Sequence, residues 1–295
     1  MKVEPECLSC IVHRGSSEII EATKNVGLQF RVAKALLECM AKEFGPKAVP
    51  AVLGTMRDRL IKQISGNPDV YAERKRASNQ AALEILPSIQ KRIDEQTTPQ
   101  GKFRQACLAS IVGNTIEFDI PEHEVKLGDI PQLLASAEKD LAIDDIPEIY
   151  DESKRARHIL FLTDNAGEIV FDKLLISELQ RLQARVTVAV KGGPILNDAT
   201  LEDAEAVSLS KMADKVITTG ADAVGLPQPE ERSQDLVEAY QKADLVIAKG
   251  MGNAETLTEL ELQQPHAFLL KAKCNPVARY FGVTRGKNVA KLAKP

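Results

Sequence analysis

Tryptophan is absent from these 295 residues, and aromatic side chains make up only 4% of them. Proteins that grip single-stranded nucleic acid stack its bases on aromatic rings, so that class is poorly supplied here. A basic face is missing as well. The formal net charge is -4, with Lys and Arg interspersed among Asp and Glu, whereas a nucleic-acid binder gathers positive charge into a patch. No apolar run reaches the length of a membrane span, and the acidic start Met1-Lys2-Val3-Glu4-Pro5-Glu6 leads into none, so neither a signal peptide nor an anchor is expected. Cysteine is sparse and odd in number, five in all. That does not resemble a secreted disulfide framework and fits a reducing compartment. A cytoplasmic protein with neither nucleic acid nor membrane as partner is the expectation. Covalent acyl transfer is disfavoured too: no Gly-x-Ser-x-Gly occurs, and His13, His123, His158 and His266 show no pairing with a nucleophile.

What is present is a 44% hydrophobic composition drawn mainly from Leu, Ile, Val and Ala, enough for one large domain or two modest ones. No internal repeat or low-complexity tract is evident. From 16 to 112 the apolar positions recur at helical spacing, as in 30–44, 52–64 and 72–93, and the turn signals Phe44-Gly45-Pro46, Gly66-Asn67-Pro68 and Thr97-Thr98-Pro99 punctuate them. Residues 118–152 are mixed, acidic and proline-bearing, so the architecture is expected to change there. Beyond it, β-rich runs at 158–162, 185–190, 215–219, 244–248 and 266–270 alternate with helix-like stretches at 169–182, 200–212, 233–242, 254–262 and 276–281. This alternation predicts a three-layer α/β/α domain with a mostly parallel sheet over 151–295, preceded by a helical domain over 1–150.

Right-handed crossovers put the strand ends on one edge, so the residues there carry most of the information. They read Asp164-Asn165-Ala166-Gly167-Glu168, Lys191-Gly192-Gly193-Pro194-Ile195-Leu196-Asn197-Asp198, Thr219-Gly220, Lys249-Gly250-Met251-Gly252-Asn253 and Lys271-Ala272-Lys273-Cys274-Asn275. Any one of them alone could be a turn or a helix cap. Their concurrence predicts a crevice: carboxylate and amide oxygens suit Mg, Mn or a similar hard ion, and lysines with helix N-termini suit phosphate.

Cys7-Leu8-Ser9-Cys10, followed by His13, stands apart. A structural zinc site wants four ligands and the second pair is missing. Cys274 lies beside the expected crevice and could meet Cys7 and Cys10 in space, which leaves a second metal, a redox role or plain burial open; Cys39 and Cys107 read as core.

The strand-end motifs, in particular Asp164-Asn165-Ala166-Gly167-Glu168, Lys191-Gly192-Gly193-Pro194 with Asn197-Asp198, Lys249-Gly250-Met251-Gly252-Asn253 and Leu270-Lys271-Ala272-Lys273-Cys274, together resemble the damage-control phosphatases, a family first catalogued as domain of unknown function eighty-nine. The Cys7-Cys10 pair and Gly113-Asn114-Thr115-Ile116-Glu117-Phe118-Asp119 are similar to its CxxC-bearing prokaryotic branch. The resemblance implies a helical domain on a three-layer α/β/α domain and a hydrolase of small phosphate monoesters, damaged or side-product metabolites, using a divalent metal (Mn, Mg, Co or Ni). Carried over residue by residue, it implies Asp164, Asn165 and Asp198 as metal ligands and Lys273 as the phosphate lysine, with Lys271 the competing alignment. Gly167, Glu168, Gly192, Asn197, Lys249 and Asn114 are expected around phosphate and substrate. Two departures stand out. Glu117 replaces the family's Asp in Gly-Asn-x-x-Asp, and Leu270-Lys271-Ala272-Lys273 replaces the Arg-Thr-x-Lys of eukaryotic branches, whose substrates therefore do not transfer.

Two routes fit: attack by activated water, or an aspartyl-phosphate on Asp164. Ala166 removes the second carboxylate that often serves as acid or base, which favours water. The rivals are an S-adenosylmethionine-dependent methyltransferase, weakened by Lys191-Gly192-Gly193 where a ribose-binding acid belongs, and a non-catalytic metal- or metabolite-binding regulator.

Overall fold

The computed structural model describes residues 1–113 and 130–295. At its centre lie β2 (His158–Leu162), β3 (Arg185–Val190), β4 (Lys215–Thr218), β5 (Leu245–Lys249) and β6 (His266–Lys271), all mutually parallel. Strand β5, Leu-Val-Ile-Ala-Lys, is buried at every position. Such unbroken apolar strands belong to a parallel sheet covered on both faces, where neither side meets water.

Adjacent residues of β2 divide between the two faces, as the pleat requires. Ile159 and Phe161 join one core and Leu160 and Leu162 the other. The first core packs under α4 (Ala72–Asp94), α5 (Pro99–Gly113), α7 (Ile146–Arg155) and α8 (Glu168–Arg181). The second packs under α10 (Gln234–Lys242), α11 (Gly250–Leu257) and α12 (Asn275–Phe281). Thus the fold is a three-layer α/β/α arrangement. Helix α5 is sandwiched, and Gly113 at its end lets it approach α8 closely, since a Cβ there would stand 2.8 Å from Phe171 Cδ2.

Two strands were not foreseen. Edge strand β1 (Leu141–Asp144) lies within the mixed 118–152 stretch, and β7 (Asn288–Ala293) runs antiparallel to β6 and parallel to β1, giving the order β1-β7-β6-β5-β2-β3-β4. The helical half also divides. Helices α4 and α5 cover the sheet, whereas α1 (Cys7–Ala22), α2 (Val26–Glu43) and α3 (Pro50–Ser65) build a separate small core around Ile11, Val32, Leu36, Leu53 and Ile61. The expected helix at 200–212 is shorter, α9 (Leu201–Ala206) and then a 3-10 turn (Leu209–Lys211), because Ser208 takes φ 56° and ends it. The remaining helix, α6 (Ile130–Lys139), precedes β1. Among the described residues no helix is long and apolar enough to cross a membrane.

Phe171 is wholly buried between α8 and its neighbours, while Phe30 on α2 is 74% exposed. Phe171→Ala is expected to cost about 3–5 kcal/mol in urea unfolding, and Phe30→Ser to stay within about 0.5 kcal/mol.

Candidate active site

Open parallel sheets bind ligands at the carboxyl ends of their strands, at the point where strand order reverses and successive connections diverge. From β2 the chain steps to β3 and β4 on one side, then returns to β5 and β6 on the other, so the reversal lies between β2 and β5. Asp164 follows β2, and Gly250 follows β5. The two touch so closely that only glycine fits: Gly250 has φ 74°, and a Cβ there would lie 1.9 Å from Asp164 Oδ2. Buried Asn253 ties both strand ends, its Nδ2 donating to Thr163 O at 3.0 Å and Lys249 O at 2.8 Å. Gly250-Met251-Gly252-Asn253, read from sequence as a loop, is the first turn of α11.

The loop after β3 folds back onto this point. Ala166 N donates to Asn197 O at 2.9 Å, Ala199 N donates to Asp164 O at 2.8 Å, and Asn165 and Asp198 form an antiparallel bridge. Asp164, Asn165 and Asp198 are thereby brought together. Burial pushes the Asp164 carboxyl up to about 6, with the Glu168 charge adding and Lys191, Lys273 and Lys249 opposing. Burial pushes Asp198 up to about 8, against Lys191 and with Asp164. Its Oδ2 is buried without a hydrogen bond among the described residues and stands 3.4 Å from Lys191 Nζ, which donates instead to Gly225 O at 2.9 Å. Among the described residues no group of three or more His, Cys, Asp or Glu side chains is disposed to hold a metal. The set at this point has two carboxylates and an amide, hard oxygen donors with a buried acceptor lacking a hydrogen bond, and it fits a small divalent cation.

Several expected phosphate contacts are engaged elsewhere. The ammonium of Lys249 is wholly buried and meets Glu168 Oε1 at 2.5 Å, Ser110 O at 2.9 Å and Asp172 Oδ1 at 3.0 Å, a partner for each of its protons. It therefore lies beneath the crevice instead of reaching into it. The Gly167 amide donates to Asn79 Oδ1 at 2.7 Å and the Gly192 amide to Ala221 O at 3.0 Å, so both N–H groups are held within the protein. Glu168 is buried and turned toward Asn165. Asn197 is half-buried and contributes its carbonyl to the bridge. Asn114 and Glu117 lie outside the described residues.

Lys271 ends β6 and Lys273 follows it. The Lys273 charge is among those that lower Asp164, whereas the Lys271 charge acts on Asp140, toward edge strand β1.

Cys7 is buried, Cys10 exposed and Cys274 half-buried, all as free thiols. Burial pushes Cys274 up to about 11, with Glu255, Cys7 and Cys10 adding smaller amounts, so it does lie within electrostatic reach of the pair. Glu6 and Glu4, before α1, hold α12 by bonds from Asn275 and Arg279. Cys107 is wholly buried and Cys39 partly so.

Residues without a sequence signal complete the site. Asp58 Oδ1 on α3 accepts from Leu196 N at 3.1 Å, and Lys62 Nζ donates to Pro194 O at 2.5 Å, so the helical cap grips the loop that carries Asp198. A cavity of 770 Å³ opens beside that grip, between Arg59 and Gln63 of α3 and the turns at Gly193 and Ala221.

Fold and site together define an α/β protein with a buried cluster of acids and lysines at its topological switch point. The damage-control phosphatase ARMT1-like domain matches residues 3–289, and the chain belongs to that family. It is 36% identical to a damage-control phosphatase of Archaeoglobus fulgidus over 295 residues, 100% of each chain. Over 291 residues it is 37% identical to a damage-control phosphatase of Pyrococcus horikoshii, 97% of this chain and 96% of that one. A crystal structure of a DUF89 family protein from Pyrococcus horikoshii superposes with a TM-score of 0.89 at 37% identity, covering 98% of each chain.

Gly250→Ala drives a methyl group into the Asp164 carboxylate. Displacing a reacting group by about 1 Å costs on the order of 100-fold in rate, and a loss of that size is expected in a phosphatase assay, together with a lowered melting temperature.

Proposed function

We propose that this chain is a divalent-metal-dependent phosphomonoesterase that hydrolyses small phosphorylated metabolites, the damaged or side-product esters implied by its family. The observation that carries this reading is the convergence of Asp164, Asn165 and Asp198 at the switch point, with the Lys273 charge acting on Asp164. Those three side chains would hold the cation. When bound, it supplies Lewis-acid stabilisation of phosphoryl charge and makes water more acidic. Mg and Mn suit such oxygen donors, and Co and Ni are the other metals the resemblance implies.

The protein's own groups do the rest. Lys273 brings positive charge to where phosphoryl oxygens gain negative charge, and the N-termini of α8 and α11 point their dipoles at the same crevice. Water, in preference to Asp164, is the nucleophile. Asp164 is 8% exposed, its Oδ2 is packed against Gly250 and accepts from Asn165 Nδ2 at 2.8 Å, and the residue two positions on is buried Ala166. At the end of β3, where a methyltransferase would keep an acid for ribose hydroxyls, Lys191 is buried against Asp198.

A panel of phosphorylated metabolites assayed with each metal, alongside an S-adenosylmethionine titration, tests the reading. Activity is expected only with metal, lost on chelation and restored on re-addition. Asp164→Ala and Asp198→Ala should abolish it, and no hydroxylamine-sensitive phosphoprotein should form. Lys273→Ala should lower kcat on the order of 100-fold, whereas Lys271→Ala should leave it near wild type. Full metal-dependent activity in Asp164→Ala sinks the assignment.

A further inference from the structure

An asparagine that binds a cation must present its carbonyl oxygen, yet its amide nitrogen has nearly the same shape, so hydrogen bonds decide which end faces the ion. Asn165 Nδ2 donates to Asp164 Oδ2 at 2.8 Å and to Glu168 Oε2 at 2.8 Å, one N–H to each carboxylate. Turned over, the same side chain would set its oxygen against two acceptors. Glu168 is 1% exposed at the start of α8, and its other oxygen takes the Lys249 ammonium at 2.5 Å. That ammonium is anchored in turn by Ser110 O and by Asp172, whose Oδ1 accepts from Ser110 Oγ at 2.6 Å.

The geometry points to Glu168 as a positioning residue that, locked from below by Lys249, holds the Asn165 amide so that Oδ1 faces the cation. This rests on the metal assignment under Proposed function. It gives Glu168 and Lys249 a role distinct from contact with phosphate. Groups that orient a metal ligand typically govern affinity by 10–100-fold; the charge of Glu168 also acts directly on Asp164, so positioning is the part of the effect that passes through Asn165.

Calorimetric titration of Mn2+ alone into the full chain, without substrate, tests it on wild type, Asp164→Ala, Glu168→Gln, Glu168→Asp, Asn165→Ala and the double variant Asn165→Ala/Glu168→Gln. A glutamine can donate as well as accept and so no longer fixes the amide. An aspartate keeps the charge beside Lys249 but draws the acceptor back from Asn165, and carries the test if the glutamine variant misfolds. Each is expected to weaken Mn2+ about 10–100-fold. On the Asn165→Ala background the glutamine change should cost several-fold less than on wild type, leaving only what the Glu168 charge exerts directly on Asp164, whereas two independent changes would add to within about 2-fold. Affinity in Glu168→Gln and Glu168→Asp within about 2-fold of wild type, or an undiminished loss on the Asn165→Ala background, overturns the positioning role while leaving the metal site standing. Wild type that binds no more Mn2+ than Asp164→Ala overturns the metal assignment itself.

Discussion

The contact on which the rest of this structure depends is that between the Asp164 carboxylate and the bare Cα of Gly250. Strands β2 and β5 are neighbours, but the chain leaves them toward opposite faces, into α8 and α11. A polar side chain can occupy the gap only if the backbone beside it carries no Cβ, and φ 74° at Gly250 turns the chain straight into α11. Once seated, the carboxylate is nearly cut off from water. An ion so placed costs several kcal/mol unless compensated, and the surrounding residues are arranged around that cost.

Compensation comes from two buried lysines flanking β2. Lys249, at the end of β5, serves Glu168 and Asp172, and Lys191, following β3, serves Asp198. Four acids thus stand over two buried ammonium groups. Burial pushes Asp172 up to about 7, against Lys249, beside Asp164 at about 6 and Asp198 at about 8. A dication on these oxygens would offset the same negative charge, so its binding and the protonation of the acids would be linked. Lys249 is raised too, but for the opposite reason: burial disfavours its charge, and Asp172 and Glu168 outweigh burial.

Much of this was legible before the fold. The strands that bear the site are short, largely apolar runs, and each gives way within a residue or two to Gly, Asp, Asn or Lys, so the site could be read from punctuation. Strand β1 has four residues, two of them exposed, and leaves no such run. The direction of Lys249 was not readable either, because a strand-end lysine looks the same pointing into a crevice or beneath it. Its partner Ser110 is 139 residues away on α5, beyond any local pattern. Asp172 did leave a trace, since it stands four residues after Glu168 and so on the same face of α8. Two buried acids stacked on a helix face call for a cation, and the sequence offered several lysines without saying which.

The helical cap enters the same balance. Leu196, two residues before Asp198, holds φ 47°, a conformation a branched side chain rarely adopts. Its N–H is held by Asp58 of α3, the neighbouring Pro194 carbonyl by Lys62, and Val224 N by Thr55 Oγ1, one and two turns along the same helix. Helix α3 therefore does more than roof the crevice. The bonds from Asp58 and Lys62 that dock it also support the strained turn before Asp198, while the Asn165–Asp198 bridge holds the acid beside Asp164. Residues of α3 thus reach the loop that carries Asp198 through two hydrogen bonds, made to Leu196 and Pro194 and not to Asp164 or Asp198 themselves.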